Sequence, residues 1–225
     1  MPLLSVIIPV YNEVRTIKEI IKKIDSVKID KEMVVVDDGS TDGTDRILRE
    51  LNYPNLKVIH HSSNRGKGVA LLTGLAHTEG EIVIIQDADL EYNPQDYLKL
   101  IKEFNASQAD LILGVRFTEE YKGLLIPRLG NYVLTNLFNF LFFTTLNDVM
   151  SCYKLAKRQT FKNLNLKAKG FEIEIEIMAK AIKNGLKIKQ VPIDYYPRSY
   201  SEGKKIKWLD GIYAVLTIFR YRFGA

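Results

Sequence analysis

A three-layer α/β sandwich with a largely parallel central sheet is the fold this chain predicts, and three observations predict it. From Leu4 to Val115, short apolar runs rich in β-branched residues alternate with stretches of helical period. Polar clusters follow those runs, at Tyr11-Asn12-Glu13, Asp37-Asp38, Asn64 to Gly68 and Asp87 to Glu91. Ligands gather at such positions, beyond the carboxyl ends of parallel strands. Finally, 225 residues with 46% hydrophobic content suffice to bury a sizeable core as one domain.

Leu4 to Val10 is an apolar run short enough for a buried strand. Val14, Ile17, Ile20, Ile21 and Ile24 then share one helical face, with Lys18, Glu19, Lys22 and Lys23 opposite. Met33 to Val36 predicts a second strand, stopped by Asp37-Asp38-Gly39-Ser40 and followed by a helix carrying Ile47, Leu48 and Leu51. Leu56 to Ile59 makes a third strand, and Asn64-Arg65-Gly66-Lys67-Gly68 opens another helix. Ile82-Val83-Ile84-Ile85 reads as a fourth strand, buried on both faces. Pro94 to Phe104 is helical, and Asp110 to Val115 gives a fifth strand.

After Gly114 the pattern is less regular. Leu134, Leu137, Phe138, Leu141 and Phe142 follow helical spacing, with Phe140 and Phe143 making that helix apolar nearly all round. Phe171 to Glu176 alternates apolar with acidic, the strand period, while Ile177, Met178, Ala181 and Ile182 continue at the helix period; the pattern leaves both readings open. Ile188 to Ile193 predicts a strand, and Ile206 to Phe223 an amphipathic C-terminal helix.

The net charge of +5 favours anionic partners such as nucleotides, phosphates or acidic lipid surfaces. No basic cluster interleaved with aromatics points to nucleic acid. Cys152 is the only cysteine, which excludes an intrachain disulfide and makes a cytoplasmic setting the expectation. Met1-Pro2-Leu3-Leu4 lacks the basic start of a signal peptide, and no stretch approaches the roughly 20 apolar residues that span a bilayer. The phosphate-binding G-x-x-x-x-G-K-[ST] loop, G-x-G-x-x-G, H-E-x-x-H and G-x-S-x-G are all missing. With only His60, His61 and His77, zinc chemistry has nothing to work with.

Three clusters carry chemistry. Asp87 and Asp89, two apart, project from the same side in extended geometry, and Glu91 continues the series. That density of oxygen ligands suits Mg²⁺ or Mn²⁺ with positions left for phosphates; the plainer reading is an acidic turn before a helix entry at Asn93-Pro94. Asp37-Asp38 is either a turn or a fixed carboxylate for base N–H groups or ribose hydroxyls. Asn64 to Gly68 is either a glycine-eased helix start or a helix N-terminus that meets an anion with Lys67.

Together, Pro9-Val10-Tyr11-Asn12-Glu13, Val35-Val36-Asp37-Asp38-Gly39-Ser40-Thr41-Asp42, Asn64-Arg65-Gly66-Lys67-Gly68 and Asp87-Ala88-Asp89 resemble, in this order, the inverting family 2 glycosyltransferases. Within that family the chain is most similar to dolichyl- or polyprenyl-phosphate sugar synthases. The second half matches more loosely, through Gly114-Val115-Arg116-Phe117, Asp148-Val149-Met150-Ser151 and Val191-Pro192-Ile193 followed by Arg198. The resemblance implies a GT-A-type fold in a single domain over 1–225, with a nucleotide-sugar-binding half (1–115) and an acceptor half (116–225). Pro9, Tyr11, Glu13 and Asp37 would line the nucleoside pocket, with Asp38, Lys67 and Ala88 also on the donor. Asp87, Asp89 and Glu91 would hold Mg²⁺ or Mn²⁺, and Arg198 would meet the diphosphate. Arg116 and Arg128 would meet an acceptor phosphate. The family often has Gln where Glu91 stands, a small residue at Val115 and Gly at Cys152.

The implied reaction moves a hexose from a nucleotide-diphosphate sugar, of GDP-mannose or UDP-glucose type, to a polyprenyl phosphate. A phosphate monoester, with a second pKa of about 6, is already ionised at neutral pH and needs arginine forks rather than a base. A glycan or other hydroxyl acceptor would need a general base, for which Asp148 is the candidate. A catalytically silent nucleotide-sugar-binding protein is the third reading. A lipid acceptor requires contact with the membrane, on its cytoplasmic face. Trp208, Leu209, Ile212, Val215, Leu216 and Phe219, flanked by Lys204, Lys205, Lys207, Arg220 and Arg222, suit an interfacial helix. Segments 130–145 and 205–223 either lie on a membrane or pack on the domain's own core, and the first has a homodimer interface as a further option.

Overall fold

The computed structural model describes residues 3–116, 125–198 and 208–224, with the side chains of 125–128 and 208–210 outside the described set. Seven strands form one sheet in the order β3-β2-β1-β4-β6-β5-β7. β1 (Leu4–Val10) lies between β2 (Lys31–Asp37) and β4 (Ile82–Ile85), parallel to both, and β3 (Leu56–His60) adds outside β2. β5 (Leu111–Val115) runs parallel to β7 (Ile188–Pro192). Between β4 and β5 sits β6 (Lys154–Lys157), antiparallel to both. The sheet is thus largely parallel with one reversed strand. β6 escapes sequence reading because four residues with lysine at each end make no apolar run.

The central strands are buried along their whole length, as continuous Val and Ile runs require when helices cover both faces. Pro9 has no N–H to give a ladder; it falls past the last β1–β4 pair, Ile7 with Ile85, where one flank of β1 is already free of a neighbour. The crossovers are α1 (Ile17–Ser26), α2 (Thr44–Glu50), α3 (Lys67–Ala76) and α4 (Asp96–Ala106). α3 packs so close to β1 that a Cβ at Gly74 would meet Ile7 at 2.5 Å.

α5 (Leu125–Phe142), α6 (Arg158–Asn163), α7 (Ile173–Lys183) and α8 (Trp208–Phe223) complete the chain. The open reading at 171–176 resolves as helix: α7 is covered all round, so Ile173, Ile175 and Ile177 are buried, and so are Glu174 and Glu176 between them. A helix buried on every side shows no amphipathic period. On α8 the docked residues are Ala214 and Ile218, with Val215 and Tyr221 half-buried, while Ile212, Leu216 and Phe219 of the expected stripe face outward. α5 buries Leu134, Phe138 and Phe142 and exposes Leu129, Tyr132, Val133 and Phe140; Phe143, just past its end, is exposed too. No described helix is long and apolar enough to cross a membrane.

Candidate active site

The carboxyl ends of the parallel strands and the entry to antiparallel β6 open on one edge of the sheet, and the predicted polar clusters meet there. Loops after β1 and β2 are laced together. Asn12, in the left-handed region at φ 52°, donates its N–H to Ser40 Oγ (2.9 Å), while its side-chain carbonyl accepts the N–H of Thr41 (2.8 Å). Glu13 donates its N–H to Thr44 Oγ1 (2.9 Å). Asp37 accepts the N–H of Ser40 (3.0 Å) and lies 3.0 Å from His60 Nδ1. Asp38 is taken up by the third loop: it lies 2.6 Å from His61 Nδ1 and accepts the N–H groups of Arg65 (3.0 Å) and Gly66 (2.7 Å). Pro9 and Ala88 are buried, and Tyr11 is half-buried at the mouth.

The glycines of the third loop admit protein rather than an anion. A Cβ on Gly66 would lie 2.3 Å from the Lys169 carbonyl oxygen, and one on Gly68 2.1 Å from that of Ala168. Lys169 O accepts the N–H groups of Gly68 (2.8 Å) and Val69 (3.3 Å), so the N-terminus of α3 is capped by backbone. Of the two readings of this stretch, these contacts fit the glycine-eased helix start. Lys67 points to carboxylates instead: its Nζ stands 2.7 Å from Asp87 Oδ1 and 3.0 Å from Glu174 Oε1. The other oxygen of Glu174 receives Nζ of Lys154, which is fully buried and also donates to the Ser151 carbonyl.

Residues 87–91 form a turn, not an extended segment, and this replaces the argument from alternation. Leu90 sits at φ 65°, a left-handed conformation that costs a branched residue about 1–2 kcal/mol, and Asp89 Oδ1 accepts the N–H of Glu91 (3.1 Å). Glu91 is buried and accepts the Tyr195 hydroxyl and the Arg198 N–H (2.9 Å). Arg198 spreads its guanidinium over Glu13 (3.1 and 3.2 Å) and Asp89 (3.2 Å). Asp87 and Asp89 therefore stand together at the centre, while Glu91 anchors segment 195–198 across it. Among the described residues no three His, Cys, Asp or Glu side chains converge as a metal cage.

Burial, with the carboxylates of Asp87 and Glu91 adding to it, pushes the Asp89 carboxyl up to about 7 despite Arg198. Among the described residues, five carboxylates, Glu13, Asp87, Asp89, Glu91 and Glu174, meet three cationic side chains, Lys67, Lys154 and Arg198, in this network. The acidic set is all oxygen, which fits a hard divalent cation held by one or two carboxylates and completed by ligand phosphates.

Behind this centre, Arg116 grips Asp148 with a fork, Nε to Oδ2 at 2.7 Å and Nη2 to Oδ1 at 2.8 Å, and donates its backbone N–H to Oδ2 (3.2 Å). Asp148 is fully buried, and the Arg116 guanidinium lies 5.1 Å from the centre of the Tyr195 ring. Arg128 falls in the first turn of α5, and its side chain lies outside the described residues, as do Lys204, Lys205, Lys207 and the side chains of Trp208 and Leu209. Reading the sequence missed Glu174, Lys154 and Tyr195. The clash of periods at 171–176 was the one signal for Glu174.

A layered sheet with acidic and basic side chains crowded at its strand ends is an α/β fold with its ligand site at the usual edge. Residues 5–164 match the family described as glycosyl transferase family 2, and the chain belongs to that family. It is 31% identical over 196 residues to the glycosyltransferase AglJ of Haloferax volcanii, covering 86% of this chain and 63% of that protein. To the low-salt glycan biosynthesis hexosyltransferase Agl6 of the same organism it is 29% identical over 204 residues, covering 88% and 48%. The chain thus spans less than two thirds of the length of either. Among solved structures, glucosyl-3-phosphoglycerate synthase from Mycobacterium tuberculosis, crystallised with Mn²⁺, UDP and glucosyl-3-phosphoglycerate, superposes with a TM-score of 0.77 at 23% identity, covering 98% of this chain and 80% of that one. That likeness shows the fold, the GT-A-type sandwich expected from sequence.

Proposed function

We propose that the chain transfers a hexose from a nucleotide-diphosphate sugar to a polyprenyl phosphate, with inversion, in a reaction dependent on Mg²⁺ or Mn²⁺. The observation that carries the reading is the pairing of Asp87 and Asp89 at the strand ends, in a cluster of carboxylate oxygens. The named relatives and the solved neighbour with Mn²⁺ and UDP support it.

Asp87 and Asp89 would hold the ion, with Glu91 locking the wall behind them. When bound, the ion neutralises the charge that develops on the departing diphosphate. Asp37 and the laced loops after β1 and β2 shape the nucleoside pocket that Pro9, Tyr11 and Glu13 border, while Asp38 acts on it by holding the third loop. Arg198 turns from Glu13 and Asp89 to the diphosphate. Attack on the anomeric carbon comes from the opposite face, as inversion requires.

Asp148 is fully buried with both oxygens engaged by Arg116, so it sits as a positioning residue rather than as a base open to a substrate hydroxyl. That favours an acceptor already ionised. Arg116, with Arg128 on α5, is assigned to the acceptor phosphate. The outward apolar residues of α5 and α8, with Arg222 lying over the rings of Phe143 (5.3 Å) and Phe223 (6.0 Å), suit contact with a lipid surface.

The test is incubation with radiolabelled GDP-mannose and UDP-glucose, dolichyl or undecaprenyl phosphate, and Mn²⁺. Label should pass to the organic phase with one donor and stay aqueous in EDTA. Label aqueous for every donor would refute the lipid acceptor, and transfer to a glycan instead would move the assignment to a hydroxyl acceptor.

A further inference from the structure

α7 begins with a carboxylate that the reaction proposed above does not use. Glu174 is 2% exposed, and Lys154, its partner, is fully buried. With Lys67 and Asp87 they make an alternating chain of charges: Asp87 to Lys67 at 2.7 Å, Lys67 to Glu174 at 3.0 Å, then Glu174 to Lys154. The chain joins the turn after β4 to the starts of α3, α7 and β6. Burying four charges is expensive, and an apolar replacement of similar volume would commonly be as stable or more so. Stability alone is therefore a poor reason for this arrangement.

Its electrostatic effect falls on Asp87. A lone Lys67 beside Asp87 makes a neutral pair with little pull on a cation. Glu174 offsets Lys67 and restores negative potential at Asp87, while Lys154 tempers it from behind. Glu174 acts through Lys67, whose position it helps fix, and Lys154 acts one step further back through Glu174.

We infer that Glu174 is a positioning residue for the donor site: by holding and neutralising Lys67, it sets the charge and orientation with which Asp87 meets the cation bound with the nucleotide. The inference rests on the metal-dependent donor binding proposed above. It predicts effects of opposite sign from changes at Glu174 and at Lys154, which a general loss of structure would not produce.

The test is calorimetric titration of the full chain with UDP and with GDP, each in Mn²⁺ and in EDTA. Glu174→Gln should weaken binding of the preferred nucleotide about tenfold in Mn²⁺ and leave it unchanged or tighter in EDTA, because the substitution removes one negative charge beside the site. Lys154→Met, which leaves Glu174 less compensated, should tighten binding in Mn²⁺ by roughly threefold. Equal losses with and without Mn²⁺, or no loss in Mn²⁺, would overturn the inference. If Glu174→Gln does not fold, Lys154→Met decides: tighter binding in Mn²⁺ supports the role, and equal or weaker binding overturns it. A wild-type protein whose nucleotide affinity is the same in Mn²⁺ and EDTA would refute the metal-dependent reading, and the inference would fall with it.

Discussion

Arg116 and Asp148 hold each other through two side-chain hydrogen bonds of 2.7 and 2.8 Å, with Asp148 wholly out of solvent. Burial alone would draw the Arg116 proton affinity down, but the carboxylate beside it raises it well above the ordinary arginine range. Removing one partner leaves the other charge buried and unmatched, at a cost of about 3–5 kcal/mol. Asp148→Asn and Arg116→Ala should each lose that much in urea unfolding. The double variant should lose less than the sum of the two, because its second change relieves an orphan charge. Arg116→Lys keeps the charge and loses the fork, and transfer should fall by about a hundredfold.

Gly68 and Gly130 make a contrasting pair. A methyl at Gly68 would collide with the Ala168 carbonyl at 2.1 Å, so Gly68→Ala should destabilise by about 2–4 kcal/mol and disturb donor binding together with the third loop. A methyl at Gly130 on α5 meets none of the described residues within 4 Å, and Gly130→Ala should stabilise by roughly 0.5–1 kcal/mol through helix propensity alone. Thermal melts of both variants check the signs.

Asp89 carries a pH signature in the metal-free protein. Its folded pKa, raised to about 7, exceeds its value in an unfolded chain, so the folded state holds a proton that the unfolded state has released. Stability from this group is full below the ordinary carboxylate range and is lost as pH rises towards and through about 7. Asp89→Asn should abolish that loss: in EDTA at pH 8 it should melt higher than wild type while losing transfer activity.

Glu176 works in the opposite sense. Burial favours its neutral form, but hydrogen bonds from Lys180, Tyr221 and the N–H groups of Ala168 and Lys167 outweigh it and hold the carboxyl below the ordinary glutamate range. A depressed folded pKa gives stability that is present above the unfolded value and lost as pH falls through the folded one. Glu176→Gln should cost about 2–3 kcal/mol at pH 7, with the difference from wild type shrinking on acidification below pH ~4.5. Urea titrations at several pH values measure it.

The first half of the fold was legible because β1, β2 and β4 carry unbroken apolar runs rich in Val and Ile and α1 keeps a solvated face. The polar clusters could be placed together for the same reason, since parallel strands bring their ends to one edge. What stayed hidden depends on contacts distant in sequence. Lys154 looks like a surface residue until Glu174 is placed beside it, and α7 has no solvated face to set a helical period because its sides are covered. At 87–91 the alternation suggested one row of ligands, but Leu90 reverses the backbone and turns Glu91 towards Tyr195 and Arg198.

The reversed strand also bears on how the chain is made. β4 and β5 never touch through backbone ladders; both wait for β6, whose first residue, Lys154, comes 39 positions after Val115. A ribosome that has released only the first half has therefore produced a sheet with a naked β4 margin and a stray β5, open to wrong partners. Nascent chains stalled before position 154 should be protease-sensitive and chaperone-bound, and a gene split between the halves should yield soluble protein only when both pieces are translated together.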